Sequence, residues 1–317
     1  MTQKTAGIHH ITAFVRNAQD NVDFYAGVLG LRLVKKTVNF DGPEVYHLYF
    51  GNEGGSPGTA ITFFPFEHGR KGLIGGGQVG WSTFAVPIGA LSFWEGRFAK
   101  LWIAYERTTR FGETFLRFRD RDELQLELVE REQGEPSKWA FGGVPADKAI
   151  KGLGGAVLFS LAPDKTMEML QELLGLEKVG SEGGLVRFRA YGELGNIVEV
   201  REDAVPGGHG GAGTVHHIAW RAKNDEDHRV WRERTLVHGF QPTPFTDRQY
   251  FNAIYFRESG GILFEIATDP PGFARDEPAE ALGERLMLPE WFEPRRAELE
   301  RVLPPISVRV LDADRAQ

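Results

Sequence analysis

The sequence predicts an α+β fold built from four βαβββ units, and three observations support this. Shifted by 145 residues, the chain repeats itself, with Gly7-Ile8 falling on Gly152-Leu153 and residues 22–31 falling on residues 167–176. In both copies a short strand precedes a helix that ends in Leu-Gly-Leu, where Gly is the expected C-cap. Each helix is then followed by several short apolar segments. This order of strand, helix and further strands defines the predicted unit.

The first and third units show the pattern most clearly. Apolar residues recur at i, i+3, i+6 and i+7, which predicts one helix at about residues 19–30 and another at about 164–175. The segments that follow are rich in β-branched and aromatic residues, as strands are. These predicted strands are residues 37–39, 45–50 and 60–64 in the first unit, and 185–189 and 196–200 in the third.

Two further units are visible more weakly, one starting at Gly80-Trp81 and one at Thr214-Val215. Stretches that contain Gly or Pro separate the units and are expected to be linkers. The tail continues as an arm with one amphipathic helix, at about 289–302, and is expected to pack on the units or to form an interface. The predicted boundaries are 7–66, 78–131, 151–202 and 213–268 for the units and 270–317 for the arm.

Composition narrows the range of functions. The 317 residues include 37 Lys and Arg against 44 Asp and Glu, with no long basic run, which argues against a nucleic-acid partner. There is no cysteine, so any metal must be held by nitrogen and oxygen ligands. The chain has no apolar stretch of membrane-spanning length. It is therefore expected to be soluble and cytoplasmic, to act on a small molecule and to be compatible with a homo-oligomer.

A histidine doublet occurs twice at the start of a predicted strand, as His9-His10 and as His216-His217. Because side chains alternate along a strand, one histidine of each doublet should lie on the apolar packing face and the other on the opposite, more polar face. On this basis His10 and His217 are the equivalent residues that face the interior of a cup. A single strand histidine is more often a core residue than a ligand.

The repeat supplies an internal control for that alternative. At the position equivalent to His10, the second unit has Trp81 and the third has Gly155, so the fold itself does not require histidine there. Two histidines and one carboxylate on separate strands are the ligand set of a non-haem Fe(II) oxygenase, and Mn accepts the same set. These considerations favour a redox metal site.

The carboxylate is less specific, since Glu127 and Glu199 occupy the positions equivalent to Glu265 in the second and third units. If the third and fourth units form a cup, the set is Glu199, His217 and Glu265. If the first and fourth units form it, the set is His10, His217 and Glu265, with Phe63 or Phe64 leaving one side of the metal open. The second arrangement has the better chemistry for a reacting metal.

Four other polar residues flank these strands. Arg248 and Tyr255 lie on the segment that leads to Glu265, and could be either a surface charge and a strand aromatic or an anion-stabilising group and a proton donor. His9 and His216 either support the neighbouring histidines or pack outward.

Taken together, these motifs resemble the glyoxalase/vicinal-oxygen-chelate superfamily, and within it the ring-cleaving dioxygenases related to (chloro)hydroquinone 1,2-dioxygenases. The resemblance covers nearly the whole chain. It implies two cup-like half-open barrels, an Fe(II) site and a small aromatic diol and O2 as substrates. The resemblance implies the metal ligands His10, His217 and Glu265, and the catalytic or supporting residues His9, Thr12, His216, Arg248 and Tyr255.

Two alternatives stay open at this stage. One is a glyoxalase-type isomerase or metal-dependent lyase on the same scaffold, which would use Zn, Ni or Mn without O2. The other is a metal-free binding module for an aromatic compound. Oxygen dependence separates the first alternative from a dioxygenase, and metal content separates the second.

Overall fold

Two eight-stranded sheets make up most of the computed structural model, which describes residues 3–315. In the first sheet the strand order is β14-β15-β16-β13-β1-β4-β3-β2. Its strands are β1 (Ile8–Val15), β2 (Arg32–Asn39), β3 (Gly42–Gly51), β4 (Ala60–Pro65), β13 (Thr214–Ala222), β14 (Thr246–Asp247), β15 (Phe251–Arg257) and β16 (Leu263–Pro271).

The second sheet has the order β10-β11-β12-β9-β5-β8-β7-β6. Its strands are β5 (Gln78–Val86), β6 (Tyr105–Arg110), β7 (Glu113–Arg119), β8 (Gln125–Glu130), β9 (Gly152–Phe159), β10 (Glu177–Glu182), β11 (Leu185–Arg189) and β12 (Ile197–Arg201). Both sheets curl into half-barrels, which confirms the predicted α+β fold of two cups.

Residues 3–315 form five α-helices, which pack against the sheets. They are α1 (Ala18–Val22), α2 (Leu91–Lys100), α3 (Pro163–Glu172), α4 (Asp225–Val237) and α5 (Arg296–Val302). The core between helices and sheets contains the fully buried side chains of Trp94, Trp220 and Trp231. Among residues 3–315, no helix is long and apolar enough to cross a bilayer.

Two predicted helices differ from the structure. The segment predicted as one helix at 19–30 is α1 followed by a π-helix at Asp23–Val28, and Arg97 donates to the carbonyl oxygens of Gly27 and Val28 in its last turn. The helix predicted at 289–302 begins later, as α5. Pro294 precedes α5 within a 3₁₀ turn, and a proline cannot continue an α-helix from earlier residues.

The C-terminal arm lies along β2, the edge strand of the first sheet, and its last two residues fall outside the described part of the chain. The ammonium of Lys35, which is fully buried, pairs with Asp276 at 2.6 Å and Glu277 at 2.5 Å. Arg32 donates to the carbonyl oxygens of Glu53, Ala279 and Glu280. The arm thereby covers an edge that would otherwise be open to pairing with another chain.

One buried acid couples the first sheet to the second. Asp120 lies in the β7–β8 turn and accepts hydrogen bonds from the backbone N–H groups of Asp122 and Leu124 and from the hydroxyl of Tyr25. Burial raises the pKa of Asp120 to about 7, although the N–H donors and the tyrosine hydroxyl oppose the rise. Its unfolded value is about 3.9. Between about pH 4 and 7, the Asp120 carboxyl group is therefore protonated in the folded protein and ionised in the unfolded chain.

We expect the Asp120→Asn variant to remove one component of the pH dependence of stability. Since the folded pKa is raised, the contribution of Asp120 is greatest below about pH 4 and is lost as the pH rises through 7. The unfolding free energy of the wild type should fall relative to the variant by up to about 4 kcal/mol over that window. Denaturant unfolding from pH 4 to 8 measures this.

Glu123→Gln provides the control, because Glu123 is an exposed acid of the same turn that pairs only with Arg119. This variant keeps Asp120, so it should retain the fall in unfolding free energy between about pH 4 and 7. A constant difference between the wild type and the Asp120→Asn variant would show that Asp120 is ionised in the folded protein.

Candidate metal centre

Strand pairing brings three candidate ligands to one face of the first sheet. β1 and β13 are antiparallel, with His10 opposite Ala219 and Thr12 opposite His217. β16 runs parallel to β13 and places Glu265 beside Ala219. His10 and Glu265 thus flank the same alanine, and His217 lies two residues before that alanine on the same face of β13.

The three side chains meet at their polar ends. The Nε2 atom of His217 lies 2.9 Å from Glu265 Oε2, and the Nε2 atom of His10 lies 3.4 Å from the same oxygen. The two Nε2 atoms are 3.3 Å apart. All three residues are buried, and one ligand atom from each lies within 4.8 Å of the others. Such an arrangement is compact enough to surround one metal ion.

The donor set fits a cation. Neither carboxylate oxygen of Glu265 has a hydrogen-bond donor of good geometry, although the side chain is fully buried. An ionised carboxylate buried without donors or a counter-charge is strongly unfavourable. A divalent metal would compensate that charge and use the nitrogen lone pairs. Two imidazoles and one carboxylate on one face suit Fe(II) or Mn(II).

The protonation states also suit a metal. Burial lowers the pKa of His217, so its imidazole is neutral at pH 7. Burial alone would raise the pKa of Glu265, but attraction to His10 and His217 lowers it well below its usual range. The lowering of the Glu265 pKa requires positive charge beside it, and a metal ion held by His10, His217 and Glu265 would supply that charge while the imidazoles stay neutral.

The second histidine of each doublet lies at a β-bulge. His9 is an extra residue on β1, because the pairing passes directly from Ile8–Trp220 to His10–Ala219. His216 is an extra residue on β13, because the pairing passes directly from Thr12–His217 to Ala13–Val215. Strict alternation had predicted that both face away from the ligands, and for His216 this is wrong because the bulge turns it into the cavity. A bulge inserts an extra residue without a visible change in the apolar pattern.

Each bulged histidine contacts the Nδ1 atom of its neighbour. His9 Nδ1 lies 2.9 Å from His10 Nδ1, and the same distance separates His216 Nδ1 from His217 Nδ1. A histidine that offers its Nε2 lone pair to a metal carries its proton on Nδ1 and donates it. His216 must then accept at Nδ1 and hold its own proton on Nε2, toward the cavity. Burial lowers the pKa of His216 to about 3, so it stays neutral.

A cavity of about 210 Å³ opens beside the three side chains. Aromatic rings form most of its wall. The lining residues are His10, Phe14, Asn39, Phe40, Asp41, His47, Tyr49, Phe64, His216, His217, Arg248, Phe251, Tyr255 and Glu265. Its size and wall suit a molecule with a single aromatic ring.

Arg248 and Tyr255 line the part of the cavity formed by β15 and the loop that precedes it. Tyr255 is opposite Glu265 in the β15–β16 register, and its ring centroid is 5.8 Å from that of His217. The Nε atom of Arg248 donates to the Tyr255 hydroxyl at 3.0 Å. Burial, with the nearby charge of Glu265, raises the pKa of Tyr255 well above its usual range, so the hydroxyl keeps its proton.

The remaining predicted residue, Thr12, is fully buried and does not line the cavity. Its hydroxyl lies 2.7 Å from that of Thr62, and Thr62 contacts His47 Nε2 at 2.9 Å. His47 Nδ1 in turn contacts the Tyr49 hydroxyl at 2.8 Å. The sequence analysis missed His47 and Tyr49, although alternation along β3 places both on the face that neighbours Thr62.

The second sheet shows what the other candidate carboxylates do. Glu199, which one arrangement had placed with His217, instead accepts from Arg110 at 2.7 Å. Arg110 also donates twice to Glu127, at 2.6 and 3.0 Å. In the second sheet, the guanidinium of Arg110 therefore compensates the charge of both carboxylates. Within residues 3–315, only the group of His10, His217 and Glu265 is arranged to hold a metal ion.

The fold and site together define a two-cup βαβββ protein with one His-His-Glu centre. The family model described as the Glyoxalase/Bleomycin resistance protein/Dioxygenase superfamily matches residues 7–128. MhqO of Bacillus subtilis (strain 168), which carries the provisional name of a ring-cleaving dioxygenase, is 58% identical over 98% of this chain and 100% of its own.

Two further comparisons agree. The crystal structure of a provisionally named dioxygenase from Bacillus subtilis has a TM-score of 0.97 and 57% identity, and covers 98% of this chain and 100% of that one. The chlorohydroquinone/hydroquinone 1,2-dioxygenase of Sphingobium indicum is 34% identical over 96% of this chain and 97% of its own. The chain therefore belongs to the glyoxalase superfamily and, within it, to the ring-cleaving dioxygenases, a family of enzymes.

We expect the His217→Ala variant to lose stoichiometric metal binding, because it removes one of three converging ligand atoms and leaves the others too few to hold the ion. Metal analysis of protein loaded anaerobically with Fe(II) and then desalted should give about one ion per wild-type chain. The His228→Gln variant is the matched control. His228 is equally buried but bonds only the Ile266 carbonyl, so its replacement should retain the metal. Equal metal content in His217→Ala and the wild type would contradict the ligand assignment.

Proposed function

We propose that this chain is an Fe(II)-dependent dioxygenase that cleaves the ring of a hydroquinone-type aromatic diol, with His10, His217 and Glu265 as the metal ligands. The observation that carries the proposal is the convergence of these three side chains at the wall of an aromatic cavity. The name of the Sphingobium indicum relative supports the substrate class.

The cavity is consistent with that class. A volume of about 210 Å³ accommodates one substituted ring more readily than two. Phe14, Phe64 and Phe251 offer faces and edges against which such a ring can pack. In a para diol the two hydroxyl groups lie on opposite sides of the ring and cannot both reach one metal ion. The protein must therefore orient the ring through its own side chains.

Bound in this site, a redox metal would supply Lewis-acid chemistry toward a ring oxygen and an electron path to O2. The polar side chains around it have separate tasks. Tyr255 can donate its hydroxyl proton to an oxygen of the substrate, and the cation of Arg248 favours negative charge that develops beside it. His216, with its proton on Nε2, is a second donor on the cavity wall.

The proposal predicts that protein loaded anaerobically with Fe(II) consumes O2 when hydroquinone is added. Uptake should exceed that with catechol and should be absent without substrate, because ring cleavage couples O2 consumption to the diol. An oxygen electrode measures the rate, and Mn(II)-loaded protein tests the metal. The His217→Ala variant should show no uptake above the background of free Fe(II).

The outcomes separate the alternatives. O2 uptake with catechol but not with hydroquinone would contradict the proposed substrate class and would still support a ring-cleaving dioxygenase. Stoichiometric bound metal without uptake for any diol would favour a metal-dependent isomerase or lyase.

We further expect Tyr255→Phe to lower kcat for hydroquinone by about 10²-fold, the usual scale of one positioned proton donor. The ring and its packing stay, so metal content should match that of the wild type. The Tyr191→Phe variant removes the hydroxyl of an exposed tyrosine distant from the cavity and should leave kcat unchanged. Loss of metal in Tyr255→Phe would instead indicate a structural role.

A further inference from the structure

The tip of the β2–β3 hairpin forms one side of the cavity mouth. It contributes Asn39, Phe40 and Asp41 to the lining. The Asn39 side chain accepts the backbone N–H of Asp41 at 3.0 Å, which closes a local turn. Phe40 packs on Trp291 and Phe292 of the arm, with ring centroids 5.6 and 6.3 Å away. The tip is therefore held from both within the hairpin and outside it.

The Asp41 carboxylate reaches across the mouth to Arg248, with 3.0 Å between Oδ2 and Nη2. Among residues 3–315, this is the only pair of an Arg or Lys with a carboxylate that joins strands β1–β4 and their loops to β13–β16 and theirs. The Arg248 side chain is 19% exposed and that of Asp41 73% exposed. An ion pair with so exposed a member adds little to stability. The ion pair instead matters for geometry, because it fixes the position of the Arg248 guanidinium.

The guanidinium determines the direction of the Tyr255 hydroxyl. Arginine has only donors, so the bond from Arg248 Nε must be accepted by the tyrosine oxygen. The tyrosine proton then points elsewhere, and the described residues offer it no other acceptor. Because Tyr255 lines the cavity beside His217, the open direction is toward the cavity.

We propose that Asp41 is a positioning residue, which holds Arg248 against Tyr255 and so keeps the Tyr255 hydroxyl directed at the substrate. This inference rests on the proposed function, since the group that receives the hydrogen bond is an oxygen of the bound diol. In the described part of the chain, the Asp41 carboxylate pairs with Arg248 at the mouth and has no hydrogen bond to His10, His217 or Glu265. Its effect on turnover passes through Arg248 and Tyr255.

The test is a double-mutant cycle on hydroquinone turnover by Fe(II)-loaded protein. Asp41→Asn should lower kcat/KM about tenfold, mainly through kcat, because a misdirected donor costs transition-state stabilisation more than binding. In a Tyr255→Phe background the same change should have almost no further effect. Asp41→Glu, which keeps the charge, should restore part of the activity.

Asp20→Asn is the control, because Asp20 forms an ion pair with Arg121 at 2.6 Å and neither residue lines the cavity. It should leave kcat and KM unchanged. An equal loss from Asp41→Asn in the wild-type and Tyr255→Phe backgrounds would overturn the inference, and would indicate that Asp41 acts on the mouth itself.

A second measurement does not depend on turnover. In a crystal structure of Asp41→Asn, the Arg248 guanidinium should have moved out of hydrogen-bonding distance of the Tyr255 hydroxyl, and in Asp20→Asn it should not. If Arg248 stays on Tyr255 without Asp41, the inference is wrong whatever the activity. If the wild type consumes no O2 with any diol, the proposed function fails, and these structures still decide whether Asp41 positions Arg248.

Discussion

The antiparallel pairing of β1 with β13 is the interaction on which the rest of the site depends. It joins two segments more than 200 residues apart and sets His10 and His217 on one face, two residue pairs apart along the ladder. The register is strict, because a slip of one residue would turn every side chain of β1 to the opposite face. The two bulges in this pairing are equally necessary. They insert His9 and His216 as extra residues, each in contact with the neighbouring candidate ligand.

The second sheet repeats this pairing between β5 and β9, and comparison of the two isolates what is specific to the site. Bulges occur at the same places, but Gly80 and Gly154 occupy them. Glu127 and Glu199 are buried there as Glu265 is, and arginines compensate them with close, paired hydrogen bonds. A buried carboxylate at this position of the fold thus comes with a cation. In the first sheet no arginine contacts Glu265, and only histidine nitrogens face it.

Sequence patterns predicted the features that follow from periodicity and repetition. The repeat gave the α+β architecture, and the internal comparison with Trp81 and Gly155 singled out His10 and His217. What the patterns could not show depends on single insertions and on contacts between distant segments. A bulge leaves no mark on an apolar pattern, so His216 was placed on the wrong face. Asp41 belongs to the cavity because the hairpin tip meets Arg248 in the loop before β15, a contact between distant segments that no local pattern encodes.

Hydrogen-bond direction determines which polar groups of the cavity wall remain available to a ligand. Tyr49 can donate to His47, His47 to Thr62 and Thr62 to Thr12, so that each group in this series is already satisfied. Arg248 donates from Nη2 to Asp41 and from Nε to the Tyr255 hydroxyl. The Tyr255 hydroxyl and the Nε2–H of His216 are then donors that remain for a ligand, on a wall that is mostly aromatic. Because these donors are fixed before a ligand arrives, little reorganisation accompanies binding, and a ring with its oxygens elsewhere would leave a buried donor unpaired.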